Sequence, residues 1–334
     1  MNISLSNVAW LEPVVNVAKG KNVGTNLQII FKSLGIPLVG ILVFLVLWSI
    51  AADRIDTSLG KFPGPGEVAT QAKGLIKEHN AERIKAVAFY ERQEIRNAER
   101  SAADPTYEAT IRPYTGKPTY IDQIFTSLIT VMSGFILASI IAIPLGIVIG
   151  LSENLYSAFN PIIQVFKPVS PLAWLPIVTM VVSAVYVSDD PMFPKSFITS
   201  MITVMLCCLW PTVINTAVGV ASISRDLINV SDVLRLSYFT HIRKIVIPAS
   251  IPMVFTGLRL SLSIAWMVLI AAEMLAQNPG LGKFVWDEFQ NGSSDSMGRI
   301  MVAIVTIGLI GFALDRLMLM LQRYVSWDKS SATR

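Results

Sequence analysis

Charge is scarce in this chain. Of 334 residues only 15% are Asp, Glu, Lys or Arg while 53% are hydrophobic, against about 25% charged in an average soluble domain. That imbalance excludes an ordinary soluble domain and marks a membrane protein. Histidine occurs twice, at His79 and His241, and cysteine twice, side by side at Cys207 and Cys208. Two adjacent thiols in an apolar run are poorly placed for a disulfide and too few for a metal site, so they read as small packing residues. The stretch GLGK at 280–283 lacks the upstream Gly and the following Ser or Thr of a phosphate-binding loop. No nucleophile elbow and no intramembrane carboxylate pair is present, so neither a cofactor on this chain nor an enzymatic activity is expected. The net charge of +4 comes without a Lys and Arg block interleaved with aromatics, which argues against a nucleic-acid partner.

What the chain has is apolar length. Six runs, approximately 33–52, 124–151, 161–187, 197–221, 250–276 and 300–321, reach the roughly 20 residues that cross a bilayer. Ser49 and Ala51 imitate a cleavage site, but the first run exceeds a signal-peptide core and follows a leader over 1–32, so it reads as a retained anchor. Lys19, Lys21, Lys32, Arg225, Arg235, Arg243, Lys244, Arg323, Lys329 and Arg334 fall on one side of the implied topology. Lys195, Lys283 and Arg299 fall on the other. The excess predicts both termini in the cytoplasm.

The segment 53–123 then lies outside as an insertion between the first two spans. Its first half has few helix breakers and places Glu78 and Glu82 with oppositely charged neighbours such as Lys85 at helical spacing, the pattern of an exposed helix. Pro105, Pro113 and Pro118 follow, predicting an extended return. A core over 124–321 and a cytoplasmic tail over 322–334 complete the division.

Within the core, NPIIQVFKPVSPLAWLP brings Pro161, Pro168, Pro171 and Pro176 close together. A helix cannot keep its ladder through that, and broken backbone at membrane depth survives only against protein or a water-filled cavity. Lys167, Pro171 and Trp174 in this stretch are therefore candidate path residues. Lys167 either serves an anion or snorkels to the interface. The fifth span carries Arg259 and Glu273, about 21 Å apart along a helix at 1.5 Å per residue, too far to pair. Each needs a partner elsewhere or water. Arg259 favours an anion or forms a structural pair; Glu273 meets an external partner or caps a neighbouring helix. GIVIG, with Gly146 and Gly150, reads as a close helix approach. The aromatic stretch with Phe284, Trp286 and Phe289 reads as an interfacial anchor or a partner surface.

Between the fourth and fifth spans lies the most amphipathic stretch, NVSDVLRLSYFTHIRKIVIPASIP at 229–252. Leu227, Val230, Val233 and Leu234 share one helical face, with Asp226, Asn229, Asp232 and Arg235 opposite, and Ser224 stands as the N-cap. A second piece carries Phe239, Ile242, Ile245 and Val246. Pro248 and Pro252 mark the return to the membrane. The expected shape is two short helices joined at an exposed Leu236, Ser237 and Tyr238, suited either to docking in a partner's groove or to resting on anionic lipid.

These residues resemble the cytoplasmic signature loop of ABC-importer permeases: Glu-Ala-Ala, three residues, Gly, nine residues, Ile-x-Leu-Pro. Anchored on Pro248, the pattern sets Asn229, Val230 and Ser231 at the Glu-Ala-Ala positions, Arg235 at the Gly, and Ile245 to Pro248 at the end. The stretches FKPVSPLAWLPIVTMV, FTGLRLSLSIAWMVLIAAEMLAQNPGLGKFVWDEFQNG, FYERQEIRNAER and RPYTGKPTYIDQIF are similar to permeases of nitrate-type importers, and the resemblance runs from about Phe62 to Tyr324. It implies an all-α, six-span type I importer permease of the bacterial inner membrane that pairs with a second copy as a homodimer. It also implies two cytoplasmic ATPase subunits that carry ATP and magnesium and receive 224–248, and a periplasmic substrate-binding protein. The implied cargo is nitrate or nitrite, with bicarbonate, cyanate or taurine-like sulfonates as alternatives. A secondary anion transporter would show inverted repeats of broken helices and a midplane carboxylate, and neither is found.

Overall fold

The structure is a computed structural model that describes residues 16–17, 22–57, 60–104, 106–188, 191–293 and 295–325. The expected leader falls largely outside the described residues, Lys19 and Lys21 included, and so does the tail beyond Val325 with Lys329 and Arg334. The chain divides into two compact units, Met1–Thr70 and Gln71–Arg334.

In the first unit, α1 (Val23–Ala52) is one apolar helix that starts well ahead of the run expected from residue 33. It contains a wide π-turn over Phe31–Gly35, where the N–H of Ile36 reaches back to Phe31 O. Pro37 comes next. Proline offers no N–H and its ring crowds the carbonyl four residues back, and the wider turn relieves both conflicts without breaking the helix. After α1 two short strands, β1 (Asp56–Thr57) and β2 (Gly60–Lys61), pair antiparallel. Trp48 donates its indole N–H to Pro63 O at 3.2 Å.

The second unit contains most of α2 (Pro65–Ala103), a single helix of 39 residues. Along it the chain returns as an extended strip stitched down by side chains rather than by a backbone ladder. Gln93 exchanges two 2.9 Å hydrogen bonds with the backbone of Arg112. Asn97 donates to Thr110 O at 3.2 Å, and the Tyr114 hydroxyl donates to Glu82 at 2.6 Å. The strip ends in a capping box, with Thr119 and Asp122 satisfying each other's backbone N–H at the start of α3 (Tyr120–Gly150). The Glu82 and Lys85 pair forms at 3.3 Å, whereas Glu78 pairs with the distant Arg299.

The core is three packed helices: α3, α6 (Lys195–Ala221) and α8 (Tyr238–Ala276). Its interior holds Val131, Phe135, Ala138 and Ala142 from α3, Val204, Cys208, Val213 and Ala217 from α6, and Ala265, Leu269 and Ala272 from α8. The GIVIG reading is visible in detail. A Cβ at Gly146 would lie 2.8 Å from Val213 O and one at Gly150 would lie 2.6 Å from Ala217 O, so these two glycines set the approach of α3 to α6. Cys207 and Cys208 are both free, half-buried and buried. Thr212 and Ser261 join α6 to α8 through hydroxyls 2.7 Å apart.

The proline-rich stretch is broken, as expected, and at one point. It forms α4 (Glu153–Phe166) and α5 (Pro171–Val185), bent 97° from each other at the short break between them. Pro161 and Pro176 lie inside these helices. Pro168 falls in the break, and Pro171 opens α5, where its missing N–H costs nothing. Among the described residues five helices are long and apolar enough to cross a membrane, or six if the bent pair counts as one span. After α8 come α9 (Leu281–Asn291) and α10 (Ser296–Val325). Phe284 of α9 packs on Tyr120 with ring centroids 4.8 Å apart.

Candidate functional site

The amphipathic stretch folds as an elbow. α7 (Arg225–Val233) opens at Ser224, but that side chain makes no capping hydrogen bond, a departure from the expected N-cap. The helix ends in a tight reversal. Leu234 N donates to Val230 O at 3.0 Å, Arg235 N to Asp232 O at 3.1 Å and Leu236 N to Ser231 O at 3.1 Å. Arg235 occupies the left-handed region, with φ 47°. That is the residue aligned with the Gly of the permease pattern, and a helix stop of this kind favours Gly because a Cβ strains it.

Ser237 then caps α8, its hydroxyl oxygen accepting from Thr240 N at 3.4 Å. The second piece is not a separate helix. It continues into the membrane span through a π-turn over Ile242–Val246, where Ile247 N reaches Ile242 O. Pro248 follows that turn as Pro37 follows the one in α1, so Pro248 sits inside a continuous rod rather than at a return. Pro252 is likewise internal.

The elbow turns its apolar groups outward. Val233 is 82% exposed, Leu234 63%, Tyr238 71% and Phe239 74%. Leu227 and Val230 are exposed as well, and Leu236 is half-buried. Asn229, Arg235, Ser237 and Pro248 are exposed, Ile245 is half-buried, and Val246 and Ser231 anchor the elbow from inside. An apolar patch presented on a two-armed turn has the shape for seating in a groove.

The five candidate path residues do not converge. Lys167 is exposed at the α4–α5 break and Pro171 begins α5. Trp174 stacks on Phe166 at 5.8 Å, and Phe166 stacks on Trp210 at 6.1 Å. Arg259 forms a two-point ion pair with Asp315 of α10, with Nη2 to Oδ2 at 3.0 Å. The cavity beside that pair is lined by none of the other four. Glu273 is fully buried. Its carboxylate accepts from the Ser127 hydroxyl at 2.9 and 2.8 Å and from Gly282 N at 3.0 Å. Ser127 Oγ in turn accepts from Leu281 N at 2.8 Å. Glu273 thus knits α3, α8 and the start of α9 together and faces no open path. Asp315 and Ser127 escaped sequence reasoning; a charge inside the last apolar run was the signal for Asp315, and nothing local marks Ser127. Among the described residues no group of three or more His, Cys, Asp or Glu comes together as a metal site.

Residues 142–327 match the family described as the binding-protein-dependent transport system inner membrane component. The chain belongs to this family. As a permease it is similar to the nitrate import permease protein NrtB of Synechocystis sp., at 33% identity over 86% of this chain and 88% of the relative. The NrtB of Synechococcus elongatus is 40% identical over 61% of this chain and 69% of its own length. The bicarbonate transport system permease protein CmpB of Synechococcus elongatus is 32% identical over 87% and 88%. Among solved structures, the inward-facing MetNI methionine ABC transporter shares the fold, with a TM-score of 0.54 at 12% identity over 62% of this chain and 96% of that one. This permease is therefore a multi-pass inner-membrane subunit of an ABC importer, a transport subunit and not an enzyme. Membership implies ATPase subunits and a substrate-binding protein as its partners.

Proposed function

We propose that this permease moves a small inorganic anion, nitrate or nitrite in the first place, and that α7 and the start of α8 seat in the ATPase subunits. The observation that carries the docking assignment is the elbow itself: Val233, Leu234, Tyr238 and Phe239 are exposed on a turn whose pivot, Arg235, takes a glycine-like conformation. In this reading the bent pair α4–α5 is one of six spans, both termini are cytoplasmic, most of α2 stands outside, and a second copy completes the pore. ATP and magnesium reside on the ATPases, whose closure is transmitted through residues 224–248 and switches access from outside to inside. Lys167, Pro171, Trp174 and Arg259 border the path, and Glu273 holds its frame.

Bicarbonate is the second reading, because the relative named for bicarbonate matches as long a stretch as one named for nitrate import. Uptake of labelled nitrate and labelled bicarbonate by the assembled transporter, with cyanate and taurine as competitors, separates them. Nitrate uptake that needs ATP and is not reduced by excess bicarbonate supports the first reading; the reverse pattern replaces it. Replacing Leu236 and Ser237 with Glu should abolish stimulated ATP hydrolysis and leave membrane insertion intact. Unchanged transport would place the ATPase contact elsewhere.

A further inference from the structure

Nine residues into the apolar run 250–276, Arg259 pairs with Asp315 across α8 and α10. Their side chains keep 39% and 25% of their surface exposed. Charged groups turned toward hydrocarbon cost several kcal/mol, so this face borders water or protein rather than lipid. Beside the pair lies a cavity of about 160 Å³, lined by Leu262, Ser263, Trp266, Gly311 and Leu314 as well as the two charges. Gly311 keeps it open, because a Cβ there would lie 3.1 Å from Trp266 Cδ1.

The donors of the cavity wall are already spent. The Ser263 hydroxyl donates to Arg259 O at 3.0 Å and the Trp266 indole to Ile307 O at 3.0 Å. The guanidinium is left to hold a guest. Its rigid fork fits two oxygens on one edge of a planar anion, and the Asp315 carboxylate presents that edge now. Nitrate and bicarbonate present the same edge: planar, two oxygens, one negative charge.

We propose that Arg259 and Asp315 form an exchange site, in which a planar monovalent oxyanion displaces the Asp315 carboxylate from the Arg259 guanidinium during transport. Asp315 is thus a built-in surrogate for the cargo, keeping the site neutral when empty. The inference rests on the anion-importer reading and adds the residue that competes with the anion.

The test uses the assembled transporter in nanodiscs, with nitrate, chloride and gluconate as probes and the thermal midpoint as readout. Asp315→Asn frees the fork. Its midpoint should fall in gluconate and be restored by nitrate but not by chloride, at a nitrate concentration about tenfold below that needed by the wild type, the worth of one charge-assisted hydrogen-bonded contact. Arg259→Gln should show no nitrate response. A nitrate-insensitive D315N, or an R259Q that responds as D315N does, overturns the exchange site. If D315N fails to assemble, wild type and Arg259→Lys decide, since Lys keeps the charge and loses the fork: equal nitrate responses overturn the proposal, and a response lost in R259K supports it. Uptake by the wild type in proteoliposomes separates the two levels. With nitrate or bicarbonate uptake present, a failed response sinks the exchange site alone; uptake of neither anion sinks the importer reading beneath it.

Discussion

Ser231 Oγ and His241 Nδ1 lie 2.7 Å apart, and this hydrogen bond ties the two arms of the elbow together. Ser231 is the one buried residue of α7. The arms have few other restraints, since the apolar residues of α7 face outward, so the angle of the elbow depends on this tie and on the turn at Arg235.

Replacing His241 with Ala or Ser231 with Ala should therefore loosen the elbow without disturbing the membrane core. A lost hydrogen bond of this half-buried kind costs about 1 kcal/mol. The expected outcome is normal insertion and ATPase co-purification with several-fold slower uptake, measured in proteoliposomes. His241→Asn, which still carries a donor and an acceptor, should retain more transport than Ala. Equal loss in both variants would make the imidazole shape, not the bond, the requirement.

Arg235→Gly should stabilise the permease, because a non-glycine residue in the left-handed region carries a penalty of about 1 kcal/mol. Arg235→Val should do the opposite, since a β-branched side chain tolerates that conformation least. Thermal unfolding of the isolated permease orders the three: Gly above Arg, Arg above Val. An Arg side chain that contacts the ATPase would appear separately, as an uptake defect in R235G despite its higher midpoint.

The helices were legible in the sequence because apolar length and proline punctuation are local signals, and the elbow was legible because its amphipathic period and its Pro248 anchor are local too. What joins helices was not. Arg259 and Asp315 are separated by 56 residues and Glu273 and Ser127 by 146, and no periodicity reports which helix faces which. The prolines misled in a particular way: Pro248 and Pro252 promised a return, while a π-turn ahead of Pro248 lets the helix run through. Between Asn160 and Ile177 the expected break does occur, once, at Pro168, while the other three prolines fit a helix start or an existing helix without ending it.

Glu273 organises the end of the bundle opposite the elbow. Glu273→Ala would strand the Ser127 hydroxyl and the Gly282 N–H in a buried site, each costing about 1–3 kcal/mol. The expected result is a strongly lowered thermal midpoint and detachment of α9, seen as faster amide exchange over 281–291. Glu273→Gln still accepts through its carbonyl and should lose less. Gly282→Ala should reproduce the alanine phenotype, because a Cβ there collides with Ile270 O, a backbone atom that cannot move aside. A G282A variant as stable as wild type would remove Glu273 from this role.

The strip along α2 should respond to acid. Tyr114 donates to Glu82 at 2.6 Å, and that hydrogen bond, with smaller help from Lys85 and Arg83, holds the Glu82 carboxyl below the usual carboxylate range. A depressed native pKa means that the unfolded segment binds a proton more readily than the folded one. The contribution is thus fully present above the ordinary carboxylate pKa and is lost as pH falls through the depressed native value. Amide exchange over 106–118 should therefore accelerate more steeply on acidification than exchange in α6, which carries no such group. Tyr114→Phe should remove that excess, leaving the strip looser at neutral pH and less sensitive to acid. If Y114F keeps the wild-type acid response, another carboxylate controls the strip, and Asp122, paired with Arg83 at the capping box, is the next to replace.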